Sequence, residues 1–270
     1  MSPNFILIDG SYFCFYRYYA IHNWFKLARK EVKLDDPFKN DEFREKFRKT
    51  FVDKMKEIPK RLKIDKPIVI VGKDCSRTDI WRNELFDQYK ATRVYDDTFM
   101  GGPFFKMAHN PEDNLFMKGG AQAILYHPKL EADDCIAITA KHILEKYPDA
   151  HVTIITSDTD YLQLIEPRVD LFTLKFKRVN TEKNSTPGNP ERDLFCKIVT
   201  GDKTDNIPSV FKKCGIKTAQ KMYDEPEYFE KKIKETDGAH EIYERNRTLI
   251  DFNRIPEELV NEFKTDCLKL

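Results

Sequence analysis

The chain has 270 residues, of which 40% are apolar and 34% are charged, with a formal net charge of +1. These totals predict a soluble globular protein of one large domain or two modest ones. No apolar run reaches the roughly 18 residues of a membrane span, and the start, MSPNFILIDG, does not resemble a signal peptide. A net charge this close to zero does not indicate a nucleic-acid-binding protein, although locally separated charges can still bind nucleic acid.

The six cysteines form no CxxC pair, and no histidine cluster accompanies them. A zinc site is therefore unsupported, and we expect a reduced, cytoplasmic setting without a membrane association.

Three apolar runs each end in an acid. NFILIDG ends at Asp9, KPIVIVGKD ends at Asp74, and AHVTIITSDTD ends at Asp158 and Asp160. Their continuous apolar character predicts strands that are buried on both faces. Helical patterns around residues 41–63 and 131–147 separate the runs, which predicts an α/β fold with a parallel sheet. Because the carboxyl ends of parallel strands share one edge, these four acids should converge.

The segment 78–93 shows a helical spacing of basic residues. Arg82, Lys90 and Arg93 recur with Phe86 on one predicted helical face. Residues 94–120, with four glycines and two prolines, predict a long loop.

Further acids open the later helix and follow a linker at 179–192. EADDCIAI supplies Glu131, Asp133 and Asp134, and GDKTDNIP supplies Asp202 and Asp205. Each acidic motif alone also fits a strand-ending turn or the first turn of a helix. Nine carboxylates near one sheet edge would repel one another unless cations neutralised them. With no histidine or cysteine among them, the predicted ligands suit two Mg²⁺ or Mn²⁺ ions.

With these residues in place, the sequence resembles the flap endonuclease / 5′-3′ exonuclease family. The matching segments are IDGSY, the strand end at Asp74, RNELFDQYKATR, EADDCIAI, TSDTDYLQL and GDKTDNIP. They occur in the family's order over most of the first 225 residues. The resemblance implies a PIN-like nuclease core at 1–180, a helical arch at about 78–120, and a helix–hairpin–helix region at 190–270.

The resemblance also implies roles for individual residues. Arg82, Lys90 and Arg93 would be catalytic, with Lys90 and Arg93 beside the scissile phosphate, although a solvated basic stripe is the alternative. Four phenylalanines of the loop at 94–120 could stack on splayed bases or cover the core: Phe99, Phe104, Phe105 and Phe116. The metal-site residues would be Asp9, Asp74, Glu131, Asp133, Asp134, Asp158, Asp160, Asp202 and Asp205. The DNA-binding hairpin would use Lys212, Lys213, Gly215, Lys217, Thr218 and Lys221. Lys213 replaces one of the family's hairpin glycines, which puts the K⁺ site of relatives in doubt.

The implied activity is structure-specific hydrolysis of DNA at 5′ flaps, nicks or RNA primers, in replication or repair. We expect a monomer that works beside replication proteins. Two other functions fit the same sequence: a non-catalytic protein that binds flaps or junctions, and a PIN-type RNase.

Overall fold

The fold is described by a computed structural model that covers residues 2–32, 34–92, 99–181, 185–186 and 188–268. Five parallel strands form one sheet in the order β3-β2-β1-β4-β5. The strands are β1 (Asn4–Asp9), β2 (Ile68–Gly72), β3 (Ala123–Leu125), β4 (His151–Ile155) and β5 (Val169–Phe172). The predicted parallel α/β class is confirmed, as are the three predicted strands. The short strands β3 and β5 were not predicted.

Ten α-helices accompany the sheet in the described residues. They are α1 (Gly10–Ala28), α2 (Asp41–Leu62), α3 (Gly102–Ala108), α4 (Leu115–Lys118), α5 (Ala132–Lys146), α6 (Pro190–Thr200), α7 (Ile216–Asp224), α8 (Pro226–Glu235), α9 (Ala239–Ile250) and α10 (Glu257–Cys267). The helices α2 and α5 confirm the two helical patterns read from the sequence. Within the described ranges, none of the helices combines the length and apolar character that crossing a bilayer requires.

Each face of the sheet carries its own hydrophobic core. Phe5 and Leu7 of β1 point into a cluster with α5 and α10, whereas Ile6 and Ile8 point into a cluster with α1 and α2. This alternation follows from the two-residue period of a strand. It explains why β1 reads as an unbroken apolar run, and it gives a three-layer α/β/α arrangement.

The carboxyl ends of β1 and β2 lie very close to each other. At the end of β1 the chain turns directly into α1 at Gly10, where an added Cβ would lie 2.6 Å from the carbonyl oxygen of Gly72. Only glycine fits this close approach of two strand ends. The acids that follow β1 and β2 are thereby held side by side.

The predicted helix over 78–93 is wrong. The segment contains two short 3₁₀ helices, Arg77–Asp79 and Trp81–Glu84, followed by turns through residue 92. Arg82 and Tyr89 are drawn inward to buried carboxylates, and Lys90 has a left-handed φ of 56°. These tertiary contacts override the local periodicity. Arg93 lies outside the described residues.

The predicted loop at 94–120 contains α3 and α4 within its described part, from residue 99 onward. Phe104 and Phe116 are fully buried in the core beside α2. Of the two roles open to them, covering the core is the one that they fill. Phe99 and Phe105 are partly buried and pack around Phe15.

The later helices form two contacts that matter for the site. The helices α6 and α7 pack against each other and flank the loop at residues 201–215. Farther along, α10 packs against α5, so that Phe263 is buried in the core of the first region. The chain from 190 onward therefore packs both on itself and on the core beneath α5.

Lys213 provides a test of backbone strain in the loop before α7. Its φ is +58°, in the left-handed region that costs a residue with a side chain about 1 kcal/mol or more. Lys213→Gly should therefore raise the free energy of unfolding by about 1 kcal/mol, measured by urea denaturation. Lys212→Gly is the matched control, because Lys212 has no positive φ, and it should be neutral or destabilising. Equal effects of the two substitutions would contradict the assignment.

Candidate active site

Five carboxylates line one cleft of about 480 Å³ at the carboxyl edge of the sheet. They are Asp9, Asp74, Glu131, Asp133 and Asp158. Asp9 ends β1, Asp74 follows β2, and Asp158 follows β4. The convergence predicted from the strand ends is therefore present for Asp9, Asp74 and Asp158, whereas Asp160 lines a separate cleft with Asp202. The start of α5 supplies the other two acids.

Asp9 and Asp74 are held by hydrogen bonds from neighbouring elements. The carboxylate of Asp9 caps α1 by accepting from the backbone N–H of Tyr12 at 2.9 Å. The carboxylate of Asp74 accepts from the N–H of Ala132 at 2.7 Å and from the hydroxyl of Ser11. Because these donors belong to α1 and α5, the positions of both acids are set by the layers that cover the sheet.

A second group of acids lies beside the first. Asp160, Asp202 and Asp205 can each place an oxygen within 4.8 Å of the others. Lys197 of α6 contacts Asp160, and its Nζ lies 3.0 Å from Asp202. The loop is closed by paired backbone hydrogen bonds between Asp202 and Ile207, of 2.7 and 2.9 Å. This closure explains the close spacing of acids in GDKTDNIP.

Tyr89 and Lys90 join the two groups. The hydroxyl of Tyr89 lies 2.9 Å from Glu131 and 3.3 Å from Asp205. The ammonium of Lys90 contacts Glu131 and lies 3.7 Å from Asp205. Lys90 also lines the acid cleft with only 8% of its surface exposed. Lys90 therefore lies beside the acids, in a turn instead of the predicted helix.

The acids of the first group repel one another in a buried setting. Burial, followed by the charge of Asp74, raises the pKa of Asp9 to about 7. Burial also raises the pKa of Asp74, and burial with the charges of Asp134 and Glu131 raises the pKa of Asp133 well above its usual value. The pKa values are raised because these carboxyls are buried beside one another and too little positive charge faces them.

The second group behaves differently. Burial acts to raise the pKa of Asp202, but Lys197 and hydrogen bonds from Thr204 outweigh it and lower the pKa to about 2. For Glu131, burial is likewise outweighed by Lys90 and Arg82, which lower the pKa. Additional positive charge would therefore stabilise the ionised forms of Asp9, Asp74 and Asp133 the most.

The donor set fits a hard divalent cation. All the candidate donors are carboxylate oxygens, and two groups of three have ligand atoms close enough to share an ion: Glu131, Asp133 and Asp134 in one, and Asp160, Asp202 and Asp205 in the other. Oxygen-only sites of high negative charge favour Mg²⁺ or Mn²⁺ over softer metals. A divalent cation held among these acids would lower their raised pKa values by favouring the ionised carboxylates.

Arg82 and Asp134 lie beneath the cleft and bind each other. Two nitrogens of Arg82 donate to the two carboxylate oxygens of Asp134 at 2.7 and 2.8 Å, and the Trp81 indole donates at 3.0 Å. Asp134 is fully buried, and Arg82 is 2% exposed. Arg82 also bonds Glu131 at 3.1 Å and the carbonyl of Leu249 at 2.7 Å. This pair anchors the start of α5 to α9.

Several residues of the cleft were missed by sequence reasoning. Ser11, Tyr12, Arg77, Thr156 and Ser157 line it beside the acids. Ser11 and Tyr12 belong to the IDGSY motif, so that their spacing from Asp9 was a usable signal. For Lys197 and Arg77 no local signal exists, because only the folded chain brings them to the acids.

The predicted DNA-binding residues cluster on one surface around the beginning of α7. Lys212, Lys213, Gly215, Lys217 and Lys221 are exposed, and Thr218 is half-buried. The backbone carbonyl of Gly215 accepts from Thr218 and Ala219. The surface therefore presents lysines beside the N-terminus of a helix, an arrangement suited to phosphate groups.

Comparison with known proteins agrees with this geometry. A family model described as "5'-3' exonuclease, N-terminal resolvase-like domain" matches residues 4–189. The chain therefore belongs to the 5′-3′ exonuclease family.

Relatives and solved structures support the same assignment. The 5′-3′ exonuclease of Buchnera aphidicola is 28% identical over 224 residues, which are 79% of this chain and 68% of that protein. DNA polymerase I of Rhizobium leguminosarum is 32% identical over 143 residues, which are 50% of this chain but only 14% of the polymerase. The flap endonuclease of bacteriophage T5, solved as a pseudo-enzyme-product complex with DNA and metal ions, aligns over 98% of both chains with a TM-score of 0.65 and 19% identity. The expected fold and family are confirmed.

The buried ion pair generates a stability prediction. Arg82→Met would leave the Asp134 carboxylate buried without its partner, which costs about 3–5 kcal/mol. The double variant Arg82→Met/Asp134→Leu should recover much of that loss, because it removes both charges together. Guanidinium denaturation of the three proteins measures the effect. If the single variant lost less than about 1 kcal/mol, the anchoring role would be wrong.

Proposed function

We propose that this protein is a structure-specific 5′ nuclease that hydrolyses DNA phosphodiester bonds with the help of two Mg²⁺ or Mn²⁺ ions. The observation that carries this proposal is the cleft at the sheet edge, where five carboxylates face one another with raised pKa values at Asp9, Asp74 and Asp133. Membership of the 5′-3′ exonuclease family supports the reaction class.

Each of the two groups of acids would bind or orient one cation. Asp9, Asp74, Glu131, Asp133 and Asp158 would hold one ion, and Asp160, Asp202 and Asp205 would hold or orient the second. Asp134 would act through the ion pair with Arg82 that fixes Glu131 and Asp133. Bound divalent ions supply a Lewis acid for the phosphate and lower the pKa of a water nucleophile.

In the proposed reaction, the water oxygen bonds to phosphorus as the bond to the 3′ oxygen breaks. The products carry a 5′ phosphate and a 3′ hydroxyl. Lys90 would stabilise the charge that develops on the phosphate, because its ammonium already lines the cleft beside Glu131. Arg77 also lines the cleft and donates to the carbonyl of Lys90, which holds that turn in place. Arg93 is proposed for a similar role through the family resemblance alone.

The surface around α7 would hold the duplex part of the substrate. Its exposed lysines and helix N-terminus suit phosphate contacts, which position a duplex without reading its sequence. The Gly215 turn allows a close approach of backbone and phosphate. The proposed substrates are DNA ends with 5′ flaps, nicks or RNA primers, processed by a monomer alongside replication proteins.

Cleavage of a labelled 5′-flap duplex tests the function. We expect Mg²⁺-dependent cleavage, and we expect Asp74→Asn to lose at least about 100-fold in rate while binding DNA as well as the wild type, because removing crowded charge relieves repulsion. Lys90→Ala should lower kcat more than it raises KM, because the lysine acts on charge formed in the transition state.

Matched substrates separate the rival functions. Flap binding in EDTA without turnover on adding Mg²⁺ or Mn²⁺ would indicate a non-catalytic junction-binding protein. Faster cleavage of single-stranded RNA than of a DNA flap would indicate a PIN-type RNase. Equal loss of binding in Asp74→Asn and Lys90→Ala would contradict the assigned roles.

A further inference from the structure

A second groove opens directly beside the acid cleft, on the β5 side of the sheet. Its volume is about 510 Å³, and it shares Tyr12 and Ser157 with the acid cleft. The remaining lining residues are Tyr16, Thr173, Lys175, Lys177, Arg178, Val179 and Thr181. None of the described residues that line this groove is acidic, in contrast to the cleft that it adjoins.

One wall of the groove is a turn that follows β5. The N–H of Phe176 donates to the carbonyl of Thr173 at 2.8 Å, and the N–H of Thr173 donates to the carbonyl of Lys177 at 2.9 Å. Phe176 lies under the ammonium of Lys54, 4.3 Å from its ring centre. The N–H of Leu174 donates to the hydroxyl of Tyr12 at 3.0 Å. The turn is therefore tied to α1 and α2.

The charges on this turn face solvent. The side chains of Lys175 and Lys177 are exposed, and neither forms an ion pair with a described residue. Arg178 is different, because it pairs with Asp170 at 2.5 Å and lies over the ring of Phe172. Lys175 and Lys177 are thus accessible to a phosphate ligand, whereas Arg178 is held by its contacts with Asp170 and Phe172.

The groove is also lined by two aromatic residues of α1. The rings of Tyr12 and Tyr16 lie 6.1 Å apart at an angle of 56° on successive turns of α1. Tyr12 also positions the catalytic edge, since its N–H caps the carboxylate of Asp9. A groove that combines aromatic rings with lysines suits a single strand, whose bases stack on rings and whose phosphates pair with cations.

We propose that this groove binds the unpaired nucleotides immediately next to the scissile phosphate. The proposal rests on the proposed function, because it takes the acid cleft as the place where the phosphodiester is cut. A strand whose phosphate lies at the acids can continue into the groove past Tyr12 and Ser157 without a gap. Lys175 and Lys177 hold its phosphates, and Tyr16 stacks on a base.

The lysine contacts are tested by the salt dependence of binding. The probe is a fluorescent oligothymidylate of about 12 nucleotides, measured by anisotropy in Ca²⁺. Lys175→Ala/Lys177→Ala should weaken binding by about tenfold at 0.1 M salt and reduce the slope of log K against log salt by about 1.4, the value for two single-strand phosphate contacts.

The matched control is Lys26→Ala/Lys30→Ala. It removes the same charge near the far end of α1, roughly 25 Å along the helix from Asp9. Its slope and affinity should match those of the wild type. Equal losses in both double variants would show a general field effect and would overturn the groove assignment.

Tyr16 separates stacking from simple charge attraction. Tyr16→Phe should bind the oligonucleotide as the wild type does, and Tyr16→Leu should bind about fivefold or more weakly, because a base stacks on a ring. A blunt duplex of the same length should respond little to either substitution. A larger loss on the duplex would overturn the assignment to unpaired nucleotides.

The outcomes also distinguish this proposal from the function on which it rests. Failure of the wild type to cleave or bind DNA would reject the proposed function. Normal cleavage and binding by the wild type, with unchanged salt slope and affinity in Lys175→Ala/Lys177→Ala, would reject the groove alone.

Discussion

The structure depends on one electrostatic constraint, which is the repulsion among carboxylates that a parallel sheet gathers at its carboxyl edge. The acids that end β1, β2 and β4 are far apart in sequence but adjacent in the fold, because the strand order places β1 between the other two. Hydrogen bonds from α1 and α5 hold Asp9 and Asp74 in place. Repulsion among these carboxylates costs free energy in the folded protein, and a bound cation would offset that cost.

Two sources of positive charge can reduce this repulsion, namely basic side chains of the protein and a bound divalent cation. Basic side chains of the protein are permanent partners: the buried Arg82 neutralises Asp134 beneath the cleft, and the partly buried Lys197 contacts both Asp160 and Asp202. Around Asp9 and Asp133 no such partner suffices, as their raised pKa values show. This division explains why the same acidic edge can be both structural support and reactive centre.

The acids were predictable and several of their partners were not. A strand that ends in aspartate can be read from a short apolar run, and the parallel-sheet rule then places Asp9, Asp74 and Asp158 together. In contrast, the backbone around Arg82 and Lys90 is decided by contacts with Asp134, Glu131 and Asp205, which lie 41 to 116 residues away. Helical periodicity in that segment was therefore misleading. Nothing local in PERDLFCKIVT identifies Lys197 as a partner of two acids.

Anomalous diffraction from crystals grown with Mn²⁺ tests the central claim most directly. We predict strong peaks within coordinating distance of the carboxylates at the sheet edge, with at least one ion against Asp9 or Asp74. The same crystals of Asp9→Asn/Asp74→Asn should lose that peak while keeping the fold. Absence of any peak at these carboxylates in the wild type, at millimolar Mn²⁺, would contradict the account.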